Sequence, residues 1–143
     1  MKYSLEIVID KPIQEVIEKF DNVENMKEWM DGLQSFEHLS GTLGEVGAKA
    51  KLVFQIGNRN IEMIETITVK DLPKEFSGTY DAKGVHNIVK NYFSEIDSDS
   101  TLYKTDQEFQ FKGFMKIIAA LMPGAFKKQS KKYLVDFKTF VER

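Results

Sequence analysis

Six alternating segments followed by one helical segment constrain this chain more than any other feature. From Phe36 onward, apolar and polar residues alternate with a period of two, which marks half-buried strands. The segments are Phe36–Thr42, Lys51–Ile56, Ile61–Val69, Phe76–Tyr80, Val85–Ile96 and Thr101–Phe111. Turn residues separate them: Gly44 and Gly47, Gly57-Asn58, Leu72-Pro73, Gly84, and Asp97–Ser100. After Gly113 the period changes. Ile117, Ile118, Leu121, Met122, Ala125, Phe126, Tyr133, Leu134, Phe137, Phe140 and Val141 recur at helical spacing, with Pro123-Gly124 expected to kink or break the helix.

A further strand opens the chain, where Tyr3, Leu5, Ile7 and Ile9 alternate with Lys2, Ser4 and Glu6. Asp10 is the expected N-cap of a first helix carrying Pro12, Ile13, Val16, Ile17 and Phe20. A second short helix is expected from Val23 to Met30, stopped by Gly32. Short turns between consecutive strands make one curved antiparallel sheet of about seven strands. Its apolar face needs a cover, and only the C-terminal helix is long and apolar enough. The expectation is one α+β domain over residues 1–143, with two short helices between the first two strands and a ligand-sized space between sheet and helix.

Composition narrows the function classes. The 143 residues carry a net charge of −2 and no cysteine, which excludes disulfides, thiolate metal sites and cysteine nucleophiles. With only His38 and His86, a multi-histidine metal site is not expected. The charge balance argues against a uniformly basic nucleic-acid binder. No apolar run approaches the ~20 residues of a membrane span, and no secretory leader is evident at the start, so a cytoplasmic setting is expected. No nucleophile elbow or phosphate-cradling glycine loop is present, and no cofactor is expected.

The ordered set of punctuation marks resembles the START-related, pollen-allergen-like helix-grip superfamily (SRPBCC), in its bacterial polyketide cyclase/dehydrase-and-lipid-transport branch. The resemblance rests on Ile9-Asp10-Lys11-Pro12 with Val16, Trp29, Gly44-Glu45-Val46-Gly47, Val69-Lys70-Asp71-Leu72-Pro73, Gly113 and Pro123. It covers nearly the whole chain and implies a helix-grip fold with an internal cavity for a hydrophobic or amphipathic molecule such as a lipid, sterol or polyketide. The chain departs from the pattern at Asp97–Ser100, which lacks a glycine, and in the lysine content of its final helix.

Candidate chemistry follows from the strand faces. Glu65 falls with Ile61, Met63, Ile67 and Val69 on the face expected to point inward, where a carboxylate would have a raised pKa. The competing reading is a bulge that turns Glu65 to solvent. Tyr80 with Phe76, Tyr103 with Gln107 and Phe109, and Asn87 and Asn91 with Val89 and Phe93 would line an apolar pocket with few polar groups. Trp29, Phe54, Met63, Met122, Phe126 and Phe137 are the expected apolar lining. Binding of a hydrophobic small molecule is the leading reading. The alternative is a cyclase/dehydrase-type enzyme with Glu65, His86 or Tyr103 moving protons, and a third is a protein-interaction module without ligand. Residues 112–143 carry +6 and the remainder −8, and Lys127, Lys128, Lys131 and Lys132 form a basic helix face that would suit a membrane surface or would simply be solvated.

Overall fold

The computed structural model describes residues 1–143. Seven strands form one antiparallel sheet: β1 (Lys2–Ile9), β2 (Leu33–Ser40), β3 (Lys49–Ile56), β4 (Arg59–Asp71), β5 (Glu75–Ala82), β6 (Val85–Asp97) and β7 (Ser100–Phe111). Their spatial order is β1-β7-β6-β5-β4-β3-β2. Every connection from β2 onward is a hairpin or short loop, so neighbours in sequence are neighbours in space. Between β1 and β2 lie α1 (Ile13–Phe20), a 3-10 turn at Val23–Asn25, and α2 (Met26–Trp29). The chain closes with α3 (Phe114–Leu121) and α4 (Pro123–Val141). The architecture is α+β with a curved sheet wrapped around a long C-terminal helix, the helix-grip fold.

Polar bonds dock α4 along the β1 edge. The Tyr3 hydroxyl donates to the Phe126 carbonyl at 3.0 Å and lies 2.6 Å from the Ser130 hydroxyl. Lys138 Nζ donates to the Val8 carbonyl at 2.7 Å, and the Asp10 amide donates to Glu142 at 2.7 Å. At ~1.5 Å per residue the 19 residues of α4 reach about 28 Å, enough to cross the sheet. Pro123 sits in the first turn of α4, where its missing N–H costs nothing, so the break between α3 and α4 falls at Met122.

Several boundaries differ from the sequence expectation. Asp10 does not cap the first helix. Pro12 occupies that position and makes no side-chain cap bond, while the Asp10 side chain points outward near Lys138. The second strand starts at Leu33 rather than Phe36, because Gly32 (φ +86°) already accepts a bond from the Gln55 amide at 2.8 Å. It ends at Ser40 rather than Thr42, where Gly41 (φ +77°) turns the chain. A bulge between Ile67 and Val69 takes Val69 off the inward face and leaves it 36% exposed.

The apolar interior is not one block. Ile9, Val16, Trp29, Phe93, Tyr103, Leu134, Phe137, Phe140 and Val141 form one cluster where α1, α2 and the end of α4 meet β1, β6 and β7. Met26, Leu33, Ala50, Leu52 and Phe54 form a second cluster, under α2 and against β2 and β3. The accessible surface is 8392 Å², more than the ~7,500 Å² expected for a folded chain of this mass.

Candidate functional site

Strand register builds the site. His38, Ala50, Glu65, Tyr80, Asn87 and Phe109 are successive cross-strand partners from β2 to β7, and so form one lateral row. All six line a cavity of about 350 Å³ between the sheet and α4. The neighbouring row runs Ile67, Gly78, Val89, Gln107, and a third holds Phe76, Asn91 and Thr105. Gly78 offers no side chain, and a Cβ there would lie 2.8 Å from the Thr66 carbonyl oxygen, so only glycine lets β5 approach β4 this closely.

From the helical side, α4 contributes Phe126, Gln129, Ser130 and Tyr133, spaced i, i+3, i+4 and i+7 on one face. Met26, Trp29 and Met30 close the α2 end, with Phe54 and Met63 in the wall beside them. Of 37 lining residues 25 are hydrophobic, so buried area rather than charge would govern affinity here. At the rim, Lys70 Nζ lies 3.7 Å from Asp21 and 3.4 Å from Glu45, tying the end of α1 to the loop that precedes β3.

The polar groups in the wall are mostly paired with each other. The Tyr80 hydroxyl donates to Glu65 Oε2 at 2.8 Å. The Tyr103 hydroxyl donates to Asn91 Oδ1 at 2.9 Å, and Gln107 donates to the Thr105 hydroxyl at 2.9 Å. Burial pushes the Glu65 carboxyl above its ordinary range, and the Tyr80 hydrogen bond offsets part of that rise. Burial pushes Tyr80 well above the usual phenol value, helped by the adjacent Glu65 charge, and burial alone raises Tyr103. Both phenols are therefore hydrogen-bond donors rather than bases. Two buried side-chain atoms have no partner, Asn87 Oδ1 and Trp29 Nε1. Asn87 belongs to the cavity wall, while its Oδ1 is itself buried within that wall.

The bulge that threatened Glu65 lies beyond it in β4, so the carboxylate keeps its inward place and is 8% exposed. Tyr80, Asn87, Asn91, Tyr103, Gln107, Phe76 and Phe126 also line the cavity. Three expected site residues do not. His86 lies on the opposite face of β6 from Asn87 and pairs with Asp81 outside the cavity, because side chains alternate across a strand. Met122 sits in the break between α3 and α4 and is 53% exposed. Phe137 is fully buried in the first core cluster, packed against the rings of Phe20, Trp29 and Tyr103. Lys132 differs from the other lysines of its helix face, since it pairs with Asp31 at 3.4 Å and with Asp136 at 2.5 Å. Sequence reasoning did not assign Ala50, Gln129, Ser130 and Tyr133 to the site, although the helical spacing from Phe126 carries the signal for the last three. A separate, shallower groove of about 270 Å³ between α2 and α4 is lined mainly by polar side chains such as Lys27, Asp31 and Lys132.

No protein-family model matches the sequence, and no curated protein matches it. Solved structures do. A conserved protein from Geobacillus kaustophilus superposes with a TM-score of 0.83 at 16% identity, covering 99% of this chain and 95% of that one. The ZhuI aromatase/cyclase from a Streptomyces species matches with a TM-score of 0.80 at 12% identity, over 100% of this chain and 94% of that one. Norcoclaurine synthase from Thalictrum flavum matches with a TM-score of 0.71 at 14% identity, over 100% of this chain and 96% of that one. These likenesses show the helix-grip fold.

Proposed function

We propose that this chain binds and carries a hydrophobic or amphipathic small molecule, of lipid, sterol or polyketide-like character, in the cavity between sheet and α4. The observation that carries the reading is a mostly apolar wall in which a few polar side chains, Glu65, Tyr80 and Asn87 among them, stand in one row. Apolar burial would supply the affinity, at about 25 cal/mol per Å² before the costs of association. The Glu65–Tyr80–Asn87 row would hold the polar end of the ligand. Native mass spectrometry of the purified protein tests this. The expected result is a fraction of molecules carrying one additional small-molecule mass that denaturation releases. A protein that stays bare after incubation with lipid, sterol and aromatic polyketide mixtures overturns the reading.

A second reading is an enzyme of the cyclase/dehydrase kind. It is favoured by the contact between Glu65 and Tyr80, two titratable groups converging at 2.8 Å in one apolar cavity. A solved structure of the same fold is an aromatase/cyclase. A carboxyl of raised pKa beside a phenol donor would shuttle a proton on a substrate carbonyl or its α-carbon. Under this reading Glu65→Gln abolishes turnover of a bound polyketide mimic while leaving its binding intact. Under the carrier reading the ligand leaves the protein chemically unchanged.

A further inference from the structure

The helix α3 is apolar on two sides. Ala119 is buried, and Met115 lines the cavity. On the other side Phe114, Ile117 and Leu121 are 72%, 55% and 74% exposed, with Met122 next to them at 53%. The spacing i, i+3, i+7 places the three helical residues in one stripe. A stripe of large apolar side chains left in water is costly unless something covers it.

The charge of the sequence flanking the stripe points to what covers it. From residue 112 to residue 131 there are five lysines (Lys112, Lys116, Lys127, Lys128, Lys131) and no carboxylate, in a chain whose net charge is −2. All five residues are exposed. None of them takes part in an ion pair, whereas Lys132 and Lys138 do. A second copy docked symmetrically on this stripe would bring two uncompensated lysine sets to the same seam. An anionic bilayer answers both features, taking the apolar stripe between its head groups and the lysines against its phosphates.

We propose that α3, with the lysines on either side of it, is a docking surface for an anionic phospholipid bilayer. The docking stands on surface chemistry and does not depend on what the cavity holds. One consequence does rest on the carrier reading. Met115, on the side of α3 opposite the stripe, belongs to the cavity wall, so docking would place the helix that bounds the cavity on the lipid surface where a carried ligand is loaded or released.

The full chain, sedimented with vesicles of phosphatidylcholine and of equimolar phosphatidylcholine and phosphatidylglycerol, tests the proposal. The expected result is binding to the anionic vesicles only, weakened by added salt. Phe114→Ser combined with Leu121→Ser, and separately Lys127→Glu combined with Lys128→Glu, each weaken that binding by roughly tenfold or more. All four positions are exposed, so both variants retain the wild-type circular dichroism spectrum and the uptake of a neutral apolar dye into the cavity. Absence of binding to anionic vesicles, or binding that either double variant leaves unchanged, overturns the proposal. A dimer seen by light scattering that the Phe114→Ser/Leu121→Ser variant converts to monomer also overturns it, by showing that a second copy covers the stripe.

Discussion

At Glu65 burial and hydrogen bonding oppose each other, and burial wins, so the folded state holds its proton more tightly than the unfolded chain does. In the pH window that opens at the unfolded carboxyl value of ~4.3 and closes above the folded one, the native state binds more protons than the unfolded state. Stability contributed at this site therefore falls as pH rises through the window. Glu65→Gln keeps an acceptor for Tyr80 and removes the ionisation. The variant is expected to be more stable than wild type above the window and close to it below, read from urea unfolding at a series of pH values. A parallel loss in both proteins would show that Glu65 is not desolvated. At Tyr103 the expectation has the opposite sign. Tyr103→Phe strips the donor from Asn91 Oδ1, a buried acceptor, and should cost about 1–3 kcal/mol in the same measurement. A change near zero would mean that Asn91 finds another donor.

Among the elements, every left-handed glycine falls in a connection rather than inside a strand or helix. Gly32 combines φ +86° with a would-be Cβ position 2.5 Å from the Gln55 carbonyl oxygen. Gly32→Ala is expected to destabilise the fold by roughly 2 kcal/mol or more, since both strain and a backbone clash must be relieved. Thermal unfolding checks this, and an unchanged midpoint would contradict the close approach of α2 to β3. The strands were legible because period-two alternation follows directly from the pleat. The inward placement of Tyr80, Asn87, Asn91 and Gln107 followed from the same parity. That parity also places His86 outside the cavity, since Asn87 and Val89 share the inward face and His86 lies an odd number of residues from each. The bulge at Ile67–Val69 was not legible, because the extra residue, Thr68, has an ordinary side chain and the register shift exists only relative to β5. Phe137 and Phe126 read alike as apolar positions of one helix. Only the docking of α1 and α2 against the end of α4 decides that Phe137 is sealed in the core, while Phe126, packed on Phe109 and Phe111, also faces the cavity.

For the molecule as a whole, the division of the interior into two clusters is what makes a cavity possible. A helix laid across a strongly curved sheet cannot touch every strand, and here the gap falls over the row from Ala50 to Phe109. The carrier account requires that this gap be accessible and apolar in solution. Titration with N-phenyl-1-naphthylamine, a neutral apolar fluorophore with one N–H donor, tests that most directly. The account predicts saturable binding of one dye per chain with a blue-shifted emission, and loss of that binding in Ala50→Phe, which fills the wall beside Glu65, read in a variant whose circular dichroism spectrum matches wild type. Absence of saturable binding in the wild-type protein, or equal binding in the filled variant, would contradict it.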